Sequence, residues 1–102
     1  MVLFLQTSKH SPDSCPMHNE TVNKIFKNFN AKLGALLKKH GMKMVGGWAV
    51  MPEHTTVMIF DVPDPNAMIK FMGEPEFMAW QSYQIVKTRP VATWEEVMKK
   101  LK

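Results

Sequence analysis

The sequence has one cysteine, no long apolar run and no recognisable targeting segment, and each absence excludes a class of protein. Because Cys15 has no partner for an internal disulfide, we expect a reducing compartment, the cytoplasm. No stretch approaches the roughly 20 apolar residues that cross a bilayer. The run from Val2 to Leu5 ends too soon for a signal peptide, and no basic segment precedes it. We therefore expect neither a membrane segment nor secretion.

Several sequence signals of known function classes are also missing. The chain contains no internal repeats, no low-complexity linker, no glycine-rich phosphate loop and no glycosidase-like pair of carboxylates. Its formal net charge of +4 comes from lysines spread around the predicted helices, a pattern typical of a solvated surface rather than of a nucleic-acid-binding stripe. With 102 residues, 45% of them apolar, the chain has the size and composition of one folded domain, residues 1–102.

Apolar periodicity predicts a regular succession of strands and helices. The clearest element is a long amphipathic helix with an apolar residue at every third or fourth position, which ends at Gly41. Glycines 46 and 47 predict a bulge inside the second strand. Thr93 and Glu96 form a capping box that opens a C-terminal helix. The predicted strands are Val2–Thr7, Met42–Met51, Thr55–Val62 and Tyr83–Thr88, and the predicted helices run from about Cys15 to His40, over Asn66–Met72, from Pro75 and from Trp94.

This order, βαββαβ with an extra helix, predicts an α+β domain of the ferredoxin-like type. The segments FLQTSKHSPDSCPMHN and MPEHT make the chain resemble the dimeric α/β barrel superfamily, and more narrowly a group of small prokaryotic domains that carry both segments. The resemblance implies a homodimer that pairs through its sheets into a barrel. It implies no single activity, because that superfamily includes cofactor-free monooxygenases, haem-dependent enzymes and binding proteins.

Three of the four histidines and the cysteine stand in two segments that the predicted topology brings together. His10, Cys15 and His18 follow the first strand, and His54 lies in the turn between the second and third strands. In a split βαβ fold the first two strands are parallel, so their carboxyl ends lie at one end of the sheet. We therefore expect the four side chains to converge.

Imidazoles and a thiolate are ligands for a first-row transition metal, with Zn²⁺ favoured over Fe²⁺, Cu or Ni²⁺. Pro16 suits the first position of a helix, which would place Cys15 at the helix start and His18 on the apolar stripe. Glu53 or Asp13 is a candidate base toward a metal-bound water. The first hypothesis is thus a metal-binding protein or a small metalloenzyme, formed by His10, Cys15, His18 and His54.

Other interpretations stay open from sequence. The histidines can be exposed turn residues, and Cys15 can be a small core residue. The protein would then be a structural or regulatory dimer that has no catalytic or metal-binding site. Cys15 with His18 or His54 can form an activated nucleophile. Cys15-Pro16 with His18 can contact haem, and a small-molecule pocket as in cofactor-free monooxygenases can form between sheet and helices, its candidate lining being Trp48, Phe60, Trp80 and Tyr83.

Overall fold

The structure, a computed structural model, describes residues 2–101. These residues form four strands and four helices, with single 3-10 turns at Pro12–Ser14 and Met51–Glu53. The strands are β1 (Val2–His10), β2 (Lys43–Val50), β3 (Thr55–Val62) and β4 (Gln84–Val91), and the helices are α1 (Glu20–Lys39), α2 (Pro65–Met72), α3 (Pro75–Gln81) and α4 (Trp94–Lys100). The predicted ferredoxin-like α+β architecture is confirmed.

The four strands form one antiparallel sheet in the order β2-β3-β1-β4. β3 is antiparallel to both β1 and β2, so β1 and β2 run parallel to each other and end at the same end of the sheet. The register of β2 shifts between Met44 and Gly46, which is the bulge that the glycine pair predicts. Both β2 and β4 are edge strands.

One face of the sheet is covered by α1, α2 and α3, and the core lies between these layers. Along β1 the residues Phe4, Gln6 and Ser8 are buried, whereas the alternate residues Leu3 and Leu5 are only half-buried, as the period-2 geometry of a strand requires. The core cluster contains Phe4, Phe29, Leu36, Met42, Met58, Phe60, Val62, Met68, Phe71, Phe77 and Trp80. The opposite face of the sheet, which we call the open face, has no helix on it among residues 2–101.

Helix α1 starts later than the sequence predicts. Its N-cap is Asn19, whose side-chain oxygen accepts a hydrogen bond of 3.0 Å from the Val22 amide. The prediction of a helix from about Cys15 with Pro16 at its first position is therefore wrong, because an Asx cap is available four residues further on. The other end is as predicted: Gly41, at φ 66°, follows the last turn and adopts the left-handed conformation that glycine favours.

Two strands are longer than predicted. β1 continues past Thr7 to His10, because both neighbours pair with it: Ser8 lies opposite Thr56 of β3 and Val86 of β4. β4 likewise continues to Val91 and includes Pro90 near its end.

The C-terminal helix extends away from the rest of the domain. The capping box of α4 is present, with the Glu96 amide donating to the Thr93 hydroxyl at 3.1 Å. Every residue from 89 to 101 is exposed. The apolar side chains of α4 at positions 94, 97 and 98, together with its C-cap Leu101, form a stripe whose residues are 39–77% exposed. Within that described range, none of the helices combines the length and apolarity needed to span a bilayer.

Candidate metal centre

The end of β1 and the turn before β3 lie side by side at one end of the sheet. His10 is the last residue of β1, and its amide donates a 3.1 Å hydrogen bond to the carbonyl of His54. This bond continues the β1 to β3 ladder, in which Lys9 pairs with Thr55. The pairing of the backbone therefore places the two histidines beside each other, independently of any contact between their side chains.

Cys15 reaches the same place through a compact loop. Its amide donates to the Pro12 carbonyl at 3.3 Å, and its carbonyl accepts from the Asn19 amide at 2.8 Å. The Asn19 side chain also donates to the Asp13 carbonyl, and Asn23 of α1 donates to the Pro16 carbonyl. The loop is therefore tied to the first turn of α1, and the Cys15 side chain is buried, with 6% of its surface exposed.

His54 has an unusual backbone. Its φ and ψ of 52° and 39° lie in the left-handed region, where it is the only residue other than glycine among positions 2–101. The conformation closes the 3-10 turn at Met51–Glu53, and the His54 amide donates to the Met51 carbonyl. Glycine is the residue that adopts this region without strain, so the chain carries an imidazole at a position where its backbone favours glycine.

The side chains of His10, Cys15 and His54 form a cluster of metal-ligand atoms. One ligand atom from each residue lies within 4.8 Å of the other two. In a tetrahedral zinc site, with bonds of about 2.0–2.3 Å, ligand atoms are separated by about 3.3–3.6 Å. A contraction of the longest of these separations by roughly 1.2–1.5 Å would give that geometry. The two imidazole rings meet edge to face, with 5.2 Å between their centroids.

The electrostatics of the cluster favour the neutral imidazole that a metal requires. Burial lowers the pKa of His10 below its ordinary 6.5, and the neighbouring His54 imidazole lowers it further. The Nε2 atom of His10 is buried and has no hydrogen-bond partner among residues 2–101. A buried ring nitrogen without a partner costs stability, and the Nε2 atom of His40 at the far end of α1 is in the same state.

The remaining predicted site residues lie further out. His18 is exposed, stands before the N-cap of α1 rather than on its apolar stripe, and is outside the three-residue cluster. Its expected place on that stripe is wrong, because the helix begins at Glu20. Glu53 and Asp13 are exposed in the two 3-10 turns. Their role as bases remains a prediction.

The cluster opens into a cavity of about 600 Å³. His18 stands in the wall of this cavity together with all three cluster residues, and α1 and the end of β2 form the rest. A second cavity, of about 260 Å³, lies between α1 and β2. The two share wall residues Phe26, Asn30, Ala49 and Thr56, so they are adjacent. Of the aromatic residues predicted to line a pocket, Trp48 and Trp80 line the smaller cavity, and Phe60 is buried in the core.

Sequence reasoning missed a set of buried polar groups beside the cluster. Several buried side-chain atoms have no hydrogen-bond partner among residues 2–101. They are one oxygen each of Gln6, Ser8, Thr56 and Tyr83, and the indole nitrogen of Trp80. Gln6 and Ser8 precede His10 on the same face of β1, a period-2 polar signal that was available in the sequence. Tyr83 packs against the His10 ring, with 6.4 Å between centroids, and burial raises the pKa of its hydroxyl to about 12.

Comparisons with known proteins identify the family and the fold. Residues 3–102 match the family model described as "Domain of unknown function (DUF3303)". No curated protein matches the chain significantly by sequence. Among solved structures, the chain is similar to an antibiotic biosynthesis monooxygenase, with a TM-score of 0.64 and 11% identity over 91% of this chain and 98% of the other. It is also similar to an uncharacterized NIPSNAP domain protein from Burkholderia xenovorans, with a TM-score of 0.53 and 11% identity over 92% and 97% of the two chains. At this identity the likeness establishes the ferredoxin-like fold alone.

Proposed function

Since this chain belongs to the DUF3303 family, we propose its function from the chemistry of its own residues: it is a small metal-binding protein in which His10, Cys15 and His54 hold one transition-metal ion. The observation that carries the proposal is the convergence of one buried thiol and two imidazoles within 4.8 Å. Two imidazoles and one thiolate suit Zn²⁺ best, and Fe²⁺, Cu and Ni²⁺ are the other candidates.

Three protein ligands leave one position of a tetrahedral ion open. Structural zinc sites usually close all four positions with protein ligands, whereas catalytic sites keep one for water or substrate. All three residues line the cavity of about 600 Å³, so a fourth ligand would come from that side. This arrangement supports a metalloenzyme or a ligand-binding metal site over a purely structural one. His18, in the wall of the same cavity, is the residue that would close the site if the loop moved.

Metal analysis of untagged protein tests the proposal directly. Wild type is expected to bind one equivalent of Zn²⁺, and Co²⁺ substitution should give a thiolate-to-cobalt charge-transfer band. Cys15→Ser should abolish that band, and His54→Ala should weaken binding by more than about a hundredfold, since it removes a ligand outright and loss of even a supporting residue costs 10–100-fold. His40→Gln, a histidine change at the far end of α1, is the matched control. A wild type that remains empty in the presence of Zn²⁺ would refute the proposal.

His18→Ala distinguishes an open site from a closed one. If the fourth position is open to the cavity, this variant should bind Zn²⁺ as tightly as wild type. A loss as large as that of His54→Ala would instead identify His18 as the fourth ligand and favour a structural ion.

Haem binding is the second candidate, because Cys15, Pro16 and His18 all stand in the wall of the larger cavity. Cys15 or His18 would hold the haem iron, and the haem would supply redox chemistry. Titration with haemin tests this idea. A Soret band that shifts in Cys15→Ala or His18→Ala but not in His40→Gln would support it, and a spectrum that all three variants share with free haemin would exclude it.

We also propose that the protein works as a homodimer joined through the open face of its sheet. Leu5 and Ile59 lie opposite each other on this face, and Ile85, which pairs with Lys9, exposes 69% of its surface there. A contiguous apolar patch on a domain surface typically marks an interface. Sedimentation of wild type should show a dimer, and Ile59→Lys should shift it to monomer without unfolding it. A wild type that is monomeric at high micromolar concentration would contradict the dimer.

A further inference from the structure

The last residues of the chain form an arm that the rest of the domain leaves uncovered. Residues 92–101, which we call the C-terminal arm, are all exposed and contain α4. Trp94, Val97 and Met98 of α4 expose 77%, 39% and 47% of their surfaces. With seven residues, α4 is well below the roughly 12–15 residues at which an isolated helix is even marginally stable in water. The arm therefore needs an apolar surface to pack on, and residues 2–101 bury none of its side chains.

The surface area of the chain is large for its mass. The chain exposes 6889 Å², whereas a compact monomer of 11.7 kDa exposes about 5900 Å². The surplus of roughly 1000 Å² is close to the approximately 800 Å² that each partner buries in a stable protein–protein interface. The radius of gyration, 14.7 Å, likewise exceeds the roughly 13 Å of a compact domain of about 100 residues. The extra surface is thus about as large as one side of such an interface.

The arm starts at the open face of the sheet, where the two copies of the proposed dimer meet. Val91, the last residue of β4, lies opposite Leu3 of β1, and Leu3 shares the open face with Leu5. A second copy on this face is therefore next to the point where the arm leaves the domain. In a two-fold symmetric dimer, the arm and the surface that receives it both belong to the same chain. The receiving surface is thus to be found among the exposed apolar residues of this chain.

The charges of β4 favour one orientation of the two sheets. Lys87 and Arg89 lie opposite Thr7 and Leu5, on the open face, and both are exposed. A two-fold axis across the strands would bring β4 of one copy onto β4 of the other and oppose these like charges, which is unfavourable. An axis along the strands avoids this, because it places the β4 edge of one copy over the β2 edge of the other.

The same axis keeps the residues of one row at one level along the strands. One such row across the four strands consists of Val91, Leu3, Asp61 and Lys43. The arm, which follows Val91, therefore leaves its own domain beside the start of β2 in the other copy. The exposed apolar residues of that strand are Val45 and Trp48, with 61% and 58% of their surfaces exposed. They are the nearest apolar surface that this arrangement offers to the arm.

We infer that the C-terminal arm of each copy packs on the other copy of the dimer, where the apolar stripe of α4 covers Val45 and Trp48 at the edge of β2. Trp94 is the main anchor, because it has the largest exposed fraction of the stripe and tryptophan is among the residue types that most often dominate interface energies. The inference rests on the proposed dimer and extends it to a second region of contact. It requires no metal.

Cross-linking between two different variants tests where the arm lies. Val45→Cys and Glu95→Cys are made in separate chains that also carry Cys15→Ser, so each chain has one thiol and the apolar stripe stays intact. The two metal-free proteins are mixed, left to exchange subunits and oxidised. A disulfide between positions 45 and 95, identified by mass spectrometry, should form at least about tenfold faster than one between positions 78 and 95 in a mixture with Met78→Cys. Docked groups react at an effective concentration in the millimolar range, and Met78 of α3 is a matched control because it is similarly exposed, at 52%.

Sedimentation tests how much the arm contributes to the dimer. Trp94→Glu should raise the dissociation constant of the dimer at least about tenfold, as expected when an anchoring tryptophan is lost from an interface. Lys99→Gln is the matched control, because it makes the same change of one charge on the same helix but outside the apolar stripe. It should leave the constant within about threefold of the wild type. Because Trp94 is outside the core cluster, both variants should unfold at the wild-type urea midpoint.

The outcomes separate this inference from the other proposals. An unchanged dissociation constant in Trp94→Glu, or equal cross-linking to positions 45 and 78, would overturn the inference and leave the dimer through the open face intact. A monomeric wild type would contradict both. Preferential cross-linking to position 45 together with a weakened dimer in Trp94→Glu would support the arm even in a protein that takes up no metal, and the metal proposal would then fail alone.

Discussion

Replacing His54 by glycine and by alanine separates its effect on the backbone from the effect of its imidazole on a metal. His54 occupies the left-handed region at φ 52°, which costs an L-residue about 1–2 kcal/mol. Glycine avoids that cost but loses about 0.4–1 kcal/mol through its freer unfolded chain. His54→Ala keeps the backbone cost of the wild type, so we expect His54→Gly to be roughly 0.5–1 kcal/mol more stable than His54→Ala.

Zinc should act differently on the same proteins. A ligand that binds only the folded state at a hundred times its Kd stabilises that state by about 2.7 kcal/mol. If loss of His54 weakens binding a hundredfold, the same zinc concentration equals the variant's Kd and adds only about 0.4 kcal/mol. Zinc should therefore stabilise the wild type strongly and both variants hardly at all, although their stabilities without zinc differ.

Urea unfolding followed by tryptophan fluorescence, with and without Zn²⁺, measures both effects. Trp80 reports on the core because it is buried and stacks on Phe29, with 4.8 Å between ring centroids. His40→Gln should respond to zinc as the wild type does. Equal stability of the glycine and alanine variants would refute the backbone argument, and a full zinc response in either would refute the ligand role of His54.

Three further changes test other parts of the structure. Because the folded Tyr83 hydroxyl keeps its proton to about pH 12 and an unfolded tyrosine ionises near 10.0, stability should fall as the pH rises between these values, and Tyr83→Phe should reduce that loss in urea titrations. The lowered pKa of His10 makes stability depend on pH in the opposite direction. Below pH 6.5 the unfolded chain takes up a proton more readily than the folded protein does, so wild-type stability should fall with falling pH more steeply than that of His10→Asn. A methyl group at Gly46 would run into the Trp48 ring, whereas Gly34 in α1 has nothing within 4 Å. Because the exposed Trp48 ring can turn away, Gly46→Ala should lose about 0.5–1.5 kcal/mol, the cost of an off-rotamer side chain. Gly34→Ala should gain about 0.5–1 kcal/mol, and urea unfolding measures both.

Much of the architecture could be predicted from local sequence signals. The bounds of β3, Thr55–Val62, agree with prediction because a β-branched run there is closed by a turn on one side and Pro63 on the other. The start of α4 at the Thr93 capping box and the end of α1 at its glycine could also be predicted from sequence. The meeting of His10 with His54 followed from topology alone, since parallel strands end together.

The predictions that were wrong or missing concern features that depend on contacts between residues distant in sequence, or on two local signals that compete. β1 extends through the polar residues Ser8 to His10 because two neighbouring strands pair with their backbone, which hydropathy does not record. Pro16 and Asn19 both signal a helix start, and the side-chain cap of Asn19 determined the outcome. The buried hydroxyls of Thr56 and Tyr83 could not be recognised in advance, because their isolation depends on how α1 and α3 pack over the sheet.

The strand at one outer edge of the sheet has a consequence for how this protein behaves when it is concentrated. β4 presents a row of backbone groups to which a strand from another molecule could add, a common first step toward fibrils. Pro90 has no N–H to offer such a strand, and the exposed side chains of Lys87 and Arg89 place like charges along the same border. Growth of the sheet by strand addition is disfavoured at this side.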